Sequence, residues 1–268
     1  MPLDVSATVI SNVRLSAEYN VLTLAAPAIG EQTRPGQFVM VKADLPADSI
    51  LRRPFSVFEV IREQGRVVAI SIFNKRAGRN TRALYAVEAG ELIACLGPLG
   101  KPFSSTTAEA WMVAGGVGLA PFATLAESLG SSQKPTTLFY GARSAGELFY
   151  LDFFERLGVK LVLATEDGSR GVRGRVTTPL ESALAELRDH GKSAMVYACG
   201  PEPMLAAVAR LASRYGQPCE VSVERVMGCG LGGCYSCVVP VRNGADSAHL
   251  VRSCLAGPVF DGSAIVWD

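Results

Sequence analysis

Four cysteines near the carboxyl end carry the most specific chemistry in this 268-residue chain. Cys229, Cys234 and Cys237 stand in a C-x4-C-x2-C run, and Cys254 follows after sixteen further residues. Thiolates spaced in this way suit a [2Fe–2S] rhomb, which needs four sulfur ligands converging from one side. Gly228, Gly230, Gly232 and Gly233 let the intervening backbone curl and turn amide N–H groups toward the sulfurs. A tetrahedral zinc site is the rival reading. Structural zinc sites usually pair two short knuckles, whereas here three cysteines share one loop and the fourth stands apart. Disulfides fit poorly, because the seven cysteines are odd in number and the expected compartment is reducing. Cys95 and Cys219 fall in strand-like stretches and read as small core residues. His190 and His249 are isolated and read as surface or cap residues, so no catalytic acid or base is assigned.

Two further sets of residues could hold phosphorylated cofactors. Arg53, Pro54, Phe55 and Ser56 open a strand directly after a loop. A guanidinium suits a pyrophosphate, the proline fixes the approach, and a serine hydroxyl can hydrogen-bond the edge of a flavin ring. The run Gly78-Arg79-Asn80-Thr81 begins a helix, where free N–H groups and the dipole favour an anion. Gly97-Pro98-Leu99-Gly100 then makes a tight turn. Farther on, Gly115, Gly116 and Gly118 join a strand to a helix that starts near Pro121. Such a turn lets a dinucleotide approach the backbone closely, although it is not the G-x-G-x-x-G fingerprint and a tightly packed turn would read the same. Cys199, Gly200 and Pro201 repeat the strand–turn–helix pattern, and would overhang the crevice where a nicotinamide could meet a flavin.

The elements that must position these residues fall into three stretches. Val5–Val13, Val21–Ala25, Gln37–Ala43, Phe55–Ile61, Val67–Phe73 and Leu92–Leu96 are apolar, often alternating, and separated by turn residues. An antiparallel β-barrel over residues 1–103 is the economical arrangement, because closure removes exposed edges. From 104 to 218, strands at Trp111–Ala114, Thr137–Tyr140, Leu161–Thr165 and Ala194–Ala198 alternate with helices at Ala120–Leu129, Pro179–His190 and Pro203–Tyr215. That alternation predicts a parallel α/β sheet covered on both faces, with ligands at the carboxyl ends of its strands. Thr178 is read as the cap of the second helix. Residues 219–268 form a third, cysteine-rich module.

Composition narrows the partners. With 26 basic against 25 acidic residues and no basic stripe, nucleic-acid binding is not expected. The most apolar stretch, Trp111–Ala126, is shorter than the about 20 residues of a bilayer span, so no membrane insertion is expected. The opening MPLDVSATVISNVRL lacks the basic and apolar regions of a signal peptide, and the expected location is the cytoplasm.

The motifs LRRPFSV, GPLGKPF, AGGVGLAPF, ATEDGSRGVRGRVT, CGPEPML, ERVMGCGLGGCYSCVV and CLAGPVFD together resemble the ferredoxin–NADP reductase superfamily. More narrowly, they resemble the electron-transfer subunits of class 1B dihydroorotate dehydrogenases, over essentially the whole chain. The resemblance implies an FAD held by Arg53, Pro54, Phe55 and Ser56, with Phe73, Asn74, Lys75, Asn80 and Thr81 completing its ring and phosphate contacts. It implies an NAD(H) crevice lined by Gly115, Gly116, Gly118, Cys199, Gly200 and Pro201, and a [2Fe–2S] cluster on Cys229, Cys234, Cys237 and Cys254. The family often has Tyr-Arg where this chain has Phe73-Asn74, and Gly-Thr where it has Asn80-Thr81. The implied partner is an FMN-containing dihydroorotate-oxidising subunit, in a heterotetramer of two of each, serving pyrimidine biosynthesis. NADH is expected over NADPH, since Glu166 and Asp167 would repel a 2′-phosphate, although Arg143 could attract one. The alternatives are a reductase subunit of a hydrogenase, sulfide-linked or ferredoxin-linked system, and a non-redox zinc scaffold.

Overall fold

A computed structural model describes residues 1–43, 51–106, 108–130, 134–242 and 247–267. Six strands close an antiparallel barrel in the order β1-β2-β5-β4-β3-β6. They are β1 (Leu3–Arg14), β2 (Tyr19–Ala25), β3 (Phe38–Ala43), β4 (Arg53–Glu63), β5 (Arg66–Lys75) and β6 (Leu92–Leu99). Alternation sends Ala7, Val9, Leu22, Leu24, Val39, Val41, Ile70 and Ile72 inward. Two short helices, α1 (Pro27–Gln32) and α2 (Arg79–Ala86), add Ile29 and Leu84 to that interior. Six-residue α1 is too short to show a helical period and is not among the expected elements.

The second half builds one seven-stranded sheet, ordered β10-β9-β8-β7-β11-β12-β15. Its elements in chain order are β7 (Glu109–Gly115), α3 (Ala120–Gly130), β8 (Thr136–Ala142), α4 (Leu151–Arg156), β9 (Lys160–Thr165), β10 (Val172–Arg173), α5 (Thr177–Asp189), β11 (Ala194–Cys199), α6 (Glu202–Arg214) and β12 (Cys219–Ser222). Beyond them come β13 (Val238–Arg242), β14 (Ala248–Arg252), α7 (Ser253–Ala256) and β15 (Val259–Asp261). Alternate residues of β7 face opposite layers. Ala110, Met112 and Ala114 pack with α3 and α4, while Trp111 and Val113 pack with α5 and α6. The barrel residues Tyr19, Val21, Phe58 and Phe73 belong to the first of these layers, so barrel and sheet share one core. Helix α5 begins at Thr177, one residue before the expected cap, and Pro179 sits within its first turn, where a missing N–H costs no bond.

The third module is stitched into this sheet. Strand β12 runs parallel to β11, with Cys219 beside Val196, and β15 pairs antiparallel with β12. Strands β13 and β14 pair antiparallel in a two-stranded sheet of their own. No helix among the described residues is long and apolar enough to cross a membrane. Cys95 and Cys219 are buried strand residues whose thiols burial pushes up to about 12. His190 sits at the carboxyl end of α5, its ring nitrogen 2.7 Å from the Glu186 carbonyl, and His249 is exposed on β14.

A ladder of buried amides ties α2 to the barrel. Asn74 Nδ2 donates to Asn20 Oδ1 (2.7 Å) and to the Thr81 carbonyl (3.0 Å). Asn20 Nδ2 continues to Asn12 Oδ1 (2.8 Å), and Asn12 Nδ2 reaches the Tyr85 and Val87 carbonyls. Removing the Asn74 rung leaves two acceptors, Asn20 Oδ1 and the Thr81 carbonyl, without this donor. Asn74→Ala should therefore cost about 2 kcal/mol of stability; a urea midpoint equal to that of the parent would show that the ladder does not hold α2.

Candidate functional site

At the barrel mouth, Arg53, Pro54, Phe55 and Ser56 are all half-buried at the start of β4, open enough to meet a ligand and rigidly paired behind. The Arg53 guanidinium donates to the Leu51 and Arg52 carbonyls, and Asn80 Nδ2 lies 3.5 Å from the same Leu51 carbonyl. The two loops expected to hold phosphate thus meet at one edge of the barrel. Thr81 Oγ1 accepts the Gly78 N–H at 2.8 Å and the Ala77 N–H at 2.9 Å, which shapes the turn and occupies that side chain.

Phe73, Asn74 and Lys75 differ from their neighbours in what they leave free. Phe73 is buried among Tyr19, Phe58, Phe149 and Tyr150, and Asn74 is fully buried in the amide ladder. Their side chains are committed to packing, so what they present outward is backbone. Lys75 places its ammonium 5.2 Å from the centre of the Tyr19 ring.

The two turns of the sheet lock together. A Cβ on Gly118 would stand 2.1 Å from the Cys199 carbonyl oxygen, and one on Gly115 would meet Met204 Sδ at 2.7 Å and Pro201 Cδ at 3.0 Å. A Cβ on Gly200 would meet Met204 Cε at 2.7 Å. These glycines permit close packing between neighbouring strands β7 and β11. Gly116 is different: its φ is +55° and nothing lies within 4 Å of its Cβ position, so its backbone faces open space. Of the residues weighed for nucleotide preference, Arg143 is paired with Glu147, and Asp167 turns back to accept the Ser169 N–H and hydroxyl. Those hydrogen bonds hold the Asp167 carboxyl below its ordinary range.

Three parts of the chain converge beside this turn. Lys75 closes β5, Cys199 closes β11, and Glu224 follows β12. Desolvation pushes the Glu224 carboxyl up, and the Lys75 ammonium works against it. The Cys199 thiol is raised chiefly by burial and then by the Glu224 charge. Glu224 begins the ERVMGCGLGGCYSCVV motif, but the sequence assigns it no role, because the groups that act on it come from distant segments.

The four loop cysteines group as two pairs. Cys237 and Cys254 are each 2% exposed and interact directly, and burial followed by the neighbouring Cys237 thiol drives Cys254 up to about 12. Cys234 and Cys229 form the outer pair. The Ser236 hydroxyl, 3.2 Å from the Cys234 sulfur, leads the contacts that bring that thiol down to about 6. Leu231 N–H donates to the Cys229 sulfur at 3.3 Å. Among the described residues no three His, Cys, Asp or Glu side chains gather round a point where a single ion would sit. Two pairs of thiols suit a dinuclear centre in which each iron takes two sulfur ligands, and suit a lone tetrahedral zinc less well.

The cysteine loop also touches the barrel. Phe38, Met40, Leu96 and Leu99 pack with Met227, Cys237 and Cys254, and a Cβ on Gly230 would stand 2.6 Å from Met40 Cγ. In register on the adjoining strand, Met40 faces Pro54 and Phe38 faces Ser56. One side of β3 therefore supports the cysteines while its partner strand carries the expected flavin motif. Arg225 binds Glu202 through both terminal guanidinium nitrogens, Nη2 at 2.9 Å, and anchors the start of the loop beside the Cys199–Pro201 turn.

Comparison with known proteins finds three matches along the chain. Residues 6–103 match an oxidoreductase FAD-binding domain, 112–210 an oxidoreductase NAD-binding domain, and 224–266 the iron–sulfur cluster binding domain of dihydroorotate dehydrogenase B. The "Dihydroorotate dehydrogenase B (NAD(+)), electron transfer subunit" of Bacillus caldolyticus is 36% identical over 263 residues, covering 96% of each chain. Its counterpart in Desulforamulus reducens is 33% identical, over 91% of this chain and 90% of the relative. Among solved structures, a chain of an NADH-dependent reduced ferredoxin-NADP oxidoreductase superposes with a TM-score of 0.84 at 27% identity, covering 98% of this chain and 91% of that one. A ferredoxin reductase of carbazole 1,9a-dioxygenase shares the fold, with a TM-score of 0.69 over 81% of this chain and 67% of its own. The chain is an oxidoreductase with FAD, NAD and iron–sulfur domains, and it belongs to the family of dihydroorotate dehydrogenase B electron transfer subunits.

Proposed function

We propose that this chain carries electrons between NAD and an FMN-containing, dihydroorotate-oxidising partner, in a cytoplasmic assembly of two copies of each. The packing of the cysteine loop on β3, whose partner strand carries the flavin motif, supports this reading. Bound FAD would exchange a hydride with NAD(H) and single electrons with a [2Fe–2S] cluster; the cofactors bring the chemistry and the protein positions them. In this reading Arg53 and the Asn80–Thr81 turn hold the FAD phosphates, and Phe55 and Ser56 meet the ring. Phe73, Asn74 and Lys75 support that site from behind. Gly116 presents backbone to NAD(H), while Gly115, Gly118, Cys199, Gly200 and Pro201 fix the crevice wall. Cys229, Cys234, Cys237 and Cys254 hold the cluster, and the units divide at 103/104 and 218/219.

The cysteine pairs give the relay a direction. The buried pair, Cys237 and Cys254, faces the barrel strand that adjoins the flavin motif. The outer pair faces solvent among exposed apolar groups: Leu231 is 54% exposed, Leu255 48% and Tyr235 62%. Leu255 lies against Gly232, and Arg252 covers the Tyr235 ring while donating to the Gly232 carbonyl at 2.8 Å. Apolar surface gathered round an exposed redox edge suits docking of the catalytic subunit.

Mixing the chain with that subunit should give dihydroorotate-dependent reduction of NAD+; flavin and iron present without such activity would overturn the partner assignment. Cys234→Ala should abolish the reduced-cluster EPR signal and leave FAD bound, and a normal spectrum would remove Cys234 from the ligand set. Gly116→Ala, at positive φ with open space around it, should cost about 1 kcal/mol of stability and raise the KM for NADH. Gly118→Ala should instead destabilise the sheet by ~3 kcal/mol. Equal effects of the two on KM and on melting temperature would contradict the division of labour.

A further inference from the structure

The Ser253 side chain is buried without a partner. It is 0% exposed, and its hydroxyl is one of two buried side-chain polar groups among the described residues that make no hydrogen bond. Its backbone is fully engaged: the Ser253 N–H donates to the Cys237 carbonyl at 2.9 Å, and its carbonyl accepts from Gly257 N–H at 3.0 Å. Ser253 is therefore tied through its backbone to Cys237 and immediately precedes Cys254 in the chain. The side chains packed with those cysteines are Phe38, Met40, Leu96, Leu99 and Met227. None offers an oxygen or nitrogen acceptor, and a thioether accepts only weakly. A hydroxyl is rarely left unsatisfied in such a place, because burial removes its hydrogen bonds to water. Thiolates are far better acceptors than thiols, and Cys237 and Cys254 would become thiolates on binding metal.

We propose that the Ser253 hydroxyl donates a hydrogen bond to a sulfur of the inner half of the cluster and raises its reduction potential. Reduction adds negative charge to the sulfurs, and a donor aimed at them stabilises the reduced form more than the oxidised one. Ser253 is on this view a positioning and tuning residue, not a ligand. The proposal rests on the reading of the four cysteines as cluster ligands.

The test is an EPR-monitored redox titration of the complete, cluster-loaded protein, with iron and acid-labile sulfide measured on the same samples. Ser253→Ala should load normally, and at a fixed potential its ratio of reduced to oxidised cluster should fall about tenfold, or ~59 mV for a one-electron couple. Ser253→Thr, which keeps the hydroxyl, should restore most of the shift. A parental midpoint in Ser253→Ala, or equal shifts in the alanine and threonine variants, would overturn the proposal while leaving the ligand assignment intact. Should the alanine variant lose its cluster, Ser253→Val against Ser253→Thr decides, since the two match in size and differ in the hydroxyl. Retention by threonine with loss by valine supports the hydrogen bond, and equal behaviour of the two overturns it. A parent protein that takes up no iron or sulfide would sink the cysteine reading itself.

Discussion

The contact of the cysteine loop with strand β3 constrains everything around it. Gly230 lies so near Met40 that no side chain fits between them, and Met40 in turn faces Pro54 across the strand pair. Electron exchange weakens steeply with separation, so a relay needs its centres held at fixed, short spacing. Here that spacing is set by close-packed apolar groups, which have little freedom to drift. Phe38 and Met40 project from a strand closed into a barrel, and Cys237 and Cys254 pack directly on them. The barrel that bears the flavin motif and the loop that bears the thiols are thus two sides of one wall.

The same need explains why the cysteine-rich segment is not an independent domain. A segment of about fifty residues buries too little apolar surface to be stable alone without help. Its help comes from both neighbours. Strands β12 and β15 extend the parallel sheet, Val239 and Ile265 join the core packed around α5 and α6, and Met227 joins the barrel's outer cluster. The Arg225–Glu202 pair then fixes the loop's entry to the first turn of α6. With one guanidinium fork on one carboxylate, that entry is directional as well as attractive.

Much of the fold could be read from local pattern. The six barrel strands announced themselves as apolar, often alternating runs between turn residues, and the parallel sheet by strand–helix alternation. What local pattern lacked was contact between distant segments. Phe73 and Asn74 sit where ligand contacts were expected, yet a ring from β2, two from the 149–150 segment and an amide from Asn20 claim their side chains. Glu224 opens the ERVMGCGLGGCYSCVV motif, yet nothing local gives it a role; its carboxyl is shifted by burial, with Lys75 opposing. The glycine turn was legible as a turn, but only three-dimensional packing separates Gly118, pressed on the Cys199 carbonyl, from Gly116, which faces open space.

These long-range contacts also account for the contrast between the two cysteine pairs. All four residues are chemically alike in sequence, and the spacing treats them as one set. Their surroundings divide them: the inner pair is dry and lies against barrel side chains, and its Cys254 thiol is raised, while Cys234 is wet and stabilised as a thiolate by the Ser236 hydroxyl. Anionic sulfur is costly in the first environment unless donors or metal compensate, and tolerable in the second. Beside the metal, the fixed groups available on the inner side are the Gly232 N–H at Cys254 and, in the role proposed above, the buried hydroxyl of Ser253. An outer edge stabilised by solvent and an inner edge stabilised by fixed dipoles respond differently to the docking of another subunit, because only the outer one exchanges water for protein when that surface is covered.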